Sequence, residues 1–182
     1  MKILAISGSV RKDSLNTQLL RAAGEFVDEG TSIELFDLAD IPFYNGDLDG
    51  DTKPASVQAL LDAITAADGM LLATPEYNYS VSGVLKNAID WASRPAFNSV
   101  LCGKPTGVMS SSMSTLGGAR AQVHLRDILA ATLTPVYLAP DFALASAHTA
   151  FDENGRLVDE GTRDFLQKYM MGYTHWVARQ RA

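Results

Sequence analysis

Two stretches of this chain gather side chains that can do chemistry. SGSVRKDSLN, residues 7–16, places three serines, an arginine, a lysine and an asparagine directly after the apolar run Ile3–Ile6. A loop that leaves a strand and enters a helix is suited to anions, because the first helical N–H groups lack acceptors and the helix dipole is positive there. Ser7, Ser9, Ser14 and Asn16 can add donors, and Arg11 a charge-assisted fork. TPEYNYSVSG, residues 74–83, follows the apolar run Gly69–Ala73. Pro75 stops that run from continuing as a strand. Tyr77 and Tyr79 offer aromatic faces to a planar ring, and the main-chain N–H groups around Glu76, Tyr77 and Asn78 can meet ring carbonyls.

Each stretch alone has a plainer explanation. Ser14 is a natural N-cap for a first helix and Ser82 for a third, and the tyrosines can simply cover a sheet end. Neither common phosphate pattern is present: there is no G-x-G-x-x-G and no G-x-x-x-x-G-K-[ST]. One glycine among many hydroxyls suits a terminal phosphate monoester better than a pyrophosphate on bare glycine backbone.

The elements that position these loops alternate along the chain. Strands are expected at Lys2–Ile6, Ser32–Phe36, Gly69–Ala73, Thr106–Met109 and Pro135–Leu138. Helices are expected over Asn16–Val27, from Pro54 to about Ala67, and over Ser82–Ala92, Gly118–Ala131 and Thr162–Ala178. Asp37–Thr52 and Ala139–Gly161 read as loops. Five strands alternating with five helices over 182 residues, without repeats or a linker, predict one α/β domain, residues 1–182, with a doubly wound parallel sheet. The Rossmann order usually needs six strands; the flavodoxin-like order 2-1-3-4-5 needs five. In that order the sheet reverses between the first and third strands, so the two stretches meet at the switch point. A phosphate loop beside a ring-binding loop calls for a ring-bearing monophosphate, and FMN fits.

GSVRKDSLN together with PEYNYSVSGVLKNAIDWASRP (residues 75–95) resembles the NADPH-dependent FMN reductase family, especially its chromate/quinone reductase branch. SSSMSTLGGARAQVHLRDIL, residues 110–129, resembles the same branch. The resemblance implies a flavodoxin-like fold with non-covalent FMN. It places Ser9, Arg11, Ser14, Leu15 and Asn16 around the phosphate, and Pro75, Glu76, Tyr77, Asn78 and Tyr79 beside the isoalloxazine. It brings Ser112 near the flavin and leaves space over Gly117 and Gly118 for a nicotinamide or flat acceptor. Ser82 stands where many relatives have proline or glycine, which implies a local change in how the third helix begins. Relatives are homodimers or homotetramers, and Trp91, beside polar neighbours, is expected at such a contact.

The implied activity is NAD(P)H oxidation, with NADPH or NADH as co-substrate. Electrons pass by a ping-pong scheme to quinones, flavins, azo compounds or metal oxyanions such as chromate, and the flavin carries the chemistry. A flavodoxin-type carrier serving a protein partner, and a phosphate-binding regulatory module without flavin, are the competing readings. Arg120 is a candidate for reading the 2′-phosphate of NADPH.

The remaining features narrow the class. Net charge −6 argues against a nucleic-acid coat. Hydrophobic content of 47% and charged content of 20% indicate a folded core, not disorder. The short N-terminal apolar run reads as a strand, not a secretory leader, and no run approaches the ~18–20 residues of a membrane span. The single cysteine, Cys102, leaves no internal disulfide and fits a reducing cytoplasm. It reads as a bystander, not a nucleophile. His124, His148 and His175 show no metal-ligand spacing, so no metal is expected.

Overall fold

The computed structural model describes residues 1–180. Five parallel strands lie in the order 2-1-3-4-5: β1 Lys2–Ser7, β2 Ser32–Phe36, β3 Gly69–Thr74, β4 Thr106–Ser111 and β5 Phe142–Leu144. The helices are α1 Leu15–Ala23, α2 Ala55–Ala66, α3 Gly83–Ala92, α4 Ala119–Ala131 and α5 Glu160–Gln180.

The central strands are buried on both faces, and side-chain alternation divides them. Leu4, Ile6, Met70, Leu72 and Val108 pack with α2, α3 and α4. Ile3, Ala5, Leu71, Ala73 and Met109 pack with α1 and α5. This two-sided burial leaves only the strand ends open. The register pairs Ser7 with Ala73 and Thr74 with Ser110, so β1, β3 and β4 end side by side.

The fifth strand differs from the expectation. Within Pro135–Leu138 only Val136 forms a bridge, to Thr106, and Leu138 is exposed. The chain bulges outward through Pro140, which has no N–H to donate, and pairs again at Phe142–Leu144, inside the stretch expected to be loop. The gap falls opposite Val108. There Tyr169 of α5 inserts its hydroxyl, donating to the Val108 carbonyl at 2.9 Å and accepting the Val108 N–H at 3.0 Å.

Other boundaries move less. The first helix ends at Ala23 and tightens into a 3-10 turn over Gly24–Phe26, short of the expected Val27. Pro54 is the residue before α2, and α5 extends at both ends beyond Thr162–Ala178. Trp91 is fully buried, with Nε1 donating to the Pro42 carbonyl at 2.8 Å. It is therefore a core residue and does not anchor a subunit contact.

Candidate functional site

Three loops converge beyond the carboxyl ends of β1, β3 and β4, and they enclose a cleft of about 220 Å³. From the first loop and α1 come Ser9, Arg11, Ser14, Leu15 and Asn16. The loop after β3 supplies Pro75, Glu76 and Tyr77, and the loop after β4 supplies Ser112. Asn78, Tyr79 and Gly117 do not line it.

One end of the cleft is built for an anion. Ser14 caps α1, its hydroxyl accepting the Thr17 N–H at 3.2 Å. The N–H groups of Leu15 and Asn16, at the start of the helix, have no intrahelical acceptor. Arg11 is exposed and has no acidic partner among the described residues. Ser7 serves the loop itself, accepting from Ser9 N–H at 3.2 Å and from the Thr17 hydroxyl at 3.0 Å.

Asn16 lines the cleft and also braces its floor. Its side-chain amide is committed to β4, donating to Ser111 O at 3.1 Å and accepting Ser111 N–H at 2.9 Å. This buried pair ties α1 to β4 across the floor of the cleft. The second N–H of its side-chain amide and its main-chain N–H are left for a ligand.

The other end is a short rim. Tyr77 and Ser80 exchange two main-chain hydrogen bonds at 3.0 Å around Asn78 and Tyr79. Both turn residues have positive φ, 50° and 68°. That is the geometry of a two-residue type I′ turn, unusual for a tyrosine. It consumes the Tyr77 N–H, leaving those of Glu76 and Asn78 for ring carbonyls. Tyr77, 50% exposed, stands at the mouth, and Tyr79, 63% exposed, lies outside the cleft lining.

Helix α4 holds this rim. Glu76 accepts from the Arg120 main-chain N–H at 3.1 Å and from the guanidinium at 2.6 Å, and that guanidinium sits 3.8 Å from the centre of the Tyr79 ring. One turn later His124 Nδ1 lies 3.0 Å from the Ser80 hydroxyl. Arg120 is thus committed within the chain and does not stand free for a 2′-phosphate.

Gly117 and Gly118 also serve the fold. Both have positive φ, and a Cβ on Gly117 would come within 2.6 Å of the Ala143 carbonyl. The missing side chain at 117 lets the loop press against β5.

The serine run that ends β4 contains a residue that sequence reasoning missed. Ser110 donates to Gly117 O at 2.7 Å, and Ser112 bonds Ser114 at 3.1 Å. Ser111 lines the cleft at 2% exposure, and its hydroxyl has no partner. A buried hydroxyl normally finds a hydrogen bond, so a ligand in the cleft is the natural acceptor or donor. The only sequence signal was its place within the run.

The chain matches the description of the NADPH-dependent FMN reductases over residues 1–149. It belongs to the NADPH-dependent FMN reductase family. It is 44% identical to an NAD(P)H-dependent FMN reductase of Pseudomonas aeruginosa, covering 100% of this chain and 97% of that one. Identity to a 2-hydroxy-1,4-benzoquinone reductase of Burkholderia sp. is 40%, covering 100% and 98%. Among solved structures, the flavoenzyme NAD(P)H:(acceptor) oxidoreductase of Paracoccus denitrificans superposes with a TM-score of 0.90 at 35% identity, covering 98% of each chain. The cleft fits the cofactor in the name of the FMN reductase family: helix N–H groups at one end, an unpartnered hydroxyl on the floor, the Tyr77 ring at the mouth.

Proposed function

We propose that this FMN reductase oxidises NAD(P)H and reduces quinones through FMN held in the cleft between β1, β3 and β4. The observation that carries this reading is the single cleft joining the α1 N-terminus to the Glu76–Tyr77 rim. Bound FMN supplies hydride acceptance from NAD(P)H and electron transfer to the acceptor. The protein's part is to bind and orient. Ser9, Arg11, Ser14 and the N–H groups of Leu15 and Asn16 hold the phosphate; Ser111 and Ser112 meet the polar middle of the cofactor. The N–H groups of Glu76 and Asn78 are preorganised donors for charge that develops at the ring edge. Tyr77 and Tyr79 present one exposed rim to nicotinamide and quinone, so the two take turns and the kinetics are ping-pong. Flat acceptors, including flavins and azo compounds, share that rim, and chromate is reduced there too.

We also propose a homodimer or homotetramer. Trp91 is not the anchor; Phe43 and Phe97, 88% and 73% exposed, are among the large apolar side chains left uncovered. Light scattering gives the mass. No helix among the described residues is long and apolar enough to cross a membrane, and the exposed thiol of Cys102 suits a reducing cytoplasm.

The deciding experiment is the visible spectrum after adding FMN and desalting, then NADPH without oxygen. Retained yellow absorbance that bleaches supports the reductase. Retained flavin that does not bleach points to a carrier, and loss of flavin rejects the site. Double-reciprocal plots against NADPH and quinone should be parallel; intersecting lines reject ping-pong.

A further inference from the structure

A second cleft, about 230 Å³, lies on the other side of the first loop, toward β2. It shares Ser9 and Arg11 with the flavin cleft, so the turn at 9–11 is the wall between them. Arg11, Lys12 and Arg21 face it, all exposed, and none has an acidic partner among the described residues. Most other cations of this acidic chain do: Lys2, Lys53, Lys86, Arg94, Arg120, Arg126 and Arg163 are all ion-paired. Asp37 is the one acid on the wall, and its Oδ1 is taken by the Ala39 N–H at 2.9 Å. Val10 and Leu35 add exposed apolar surface, 51% and 41%.

Three unpaired cations beside apolar side chains suit a phosphate attached to a flat base. We propose that this cleft receives the 2′-phosphate and adenine of NADPH, with Lys12 and Arg21 reading the phosphate. The inference rests on the reading that the chain oxidises NAD(P)H. A dinucleotide whose nicotinamide lies at the Tyr77 rim must put its phosphorylated end outside the flavin cleft. Arg120, on the rim itself, is held by Glu76, whereas Lys12 and Arg21 have no ion-pair partner among the described residues. NADH has the same adenosine without the phosphate, so the cleft sets the preference for NADPH.

The test is the variant Lys12→Ala/Arg21→Ala. Both side chains are exposed and unpaired, so the fold should be retained. Calorimetric titration with 2′,5′-ADP should show binding to wild type, weakened about tenfold or more in the variant. 5′-ADP should bind more weakly to wild type and be little changed by the substitutions. The ratio of kcat/KM for NADPH over NADH should fall by a similar factor. Equal binding of the two nucleotides by wild type, or an unchanged kcat/KM ratio, overturns the proposal. The 2′,5′-ADP titration needs no turnover. If wild type binds it selectively but fails to oxidise NADPH, the reductase reading falls and the phosphate cleft stands.

Discussion

Arg120 grips Glu76 from two directions, by its main-chain N–H at 3.1 Å and by its guanidinium at 2.6 Å. The Glu76 side chain is only 9% exposed, so its carboxylate depends on this partner. The same guanidinium covers Tyr79, which holds a backbone conformation that tyrosine seldom adopts. The contact therefore fixes the shape of the rim against which the isoalloxazine is proposed to lie.

Arg120→Ala should release that rim and leave a largely buried carboxylate without its counter-charge. FMN affinity should fall about tenfold in a fluorescence titration, and Arg120→Lys should restore part of it through the charge alone. NADPH and NADH kinetics should worsen together, because the guanidinium serves the loop and not the 2′-phosphate. A selective loss of NADPH would return Arg120 to the nucleotide site.

The local devices of this site were legible in the sequence. Ser14 and Ser82 cap their helices as their positions imply, because a cap is made with an N–H three residues on. Strand order and the meeting of the two loops followed from element count and buried runs. What could not be read depends on distant partners. Trp91 looks exposed beside Lys86, Asn87 and Asp90, yet its acceptor is Pro42 O, 49 residues earlier. Asn16 looks like a ligand donor, and its amide oxygen and one amide N–H also bind Ser111, 95 residues away. Pro135–Leu138 has strand composition, but Tyr169 from α5 takes the hydrogen bonds a strand residue would have made.

That last substitution makes the fold sensitive to alkali. Burial pushes the Tyr169 hydroxyl well above its ordinary value, and Tyr173, donating to Met70 O at 2.5 Å, is raised by burial too. An unfolded tyrosine titrates near ~10. Above that pH the unfolded chain releases protons that the folded chain retains. Their contribution is therefore intact below pH ~10 and is lost as pH rises toward the folded values, by about 1.4 kcal/mol per pH unit for each tyrosine. Urea unfolding between pH 9 and 11 measures this slope. Tyr169→Phe should lower stability at neutral pH by about 1–3 kcal/mol, since Val108 N–H and C=O lose their partner. It should also remove roughly half of the alkaline slope. An unchanged slope would mean that Tyr169 ionises as freely as in the unfolded chain.

Ser111 offers an experiment in which the empty protein and the flavin-loaded protein should respond in opposite directions. Its hydroxyl is buried and unpartnered while Asn16 holds its main chain in place. A buried unsatisfied hydroxyl opposes folding, so Ser111→Ala should leave the empty protein as stable as wild type or more stable by up to about 1 kcal/mol. If FMN completes that hydroxyl, the same change should weaken FMN binding about fivefold to tenfold and reduce the rise in melting temperature that FMN produces. Ser112→Ala separates the two effects: its hydroxyl already bonds Ser114, so the empty protein should gain no stability from that change even if FMN binding weakens. A site shaped by packing alone would show stabilisation without loss of FMN affinity. Stabilisation joined to weaker binding would mean that Ser111 carries a cost in the empty fold that bound flavin relieves.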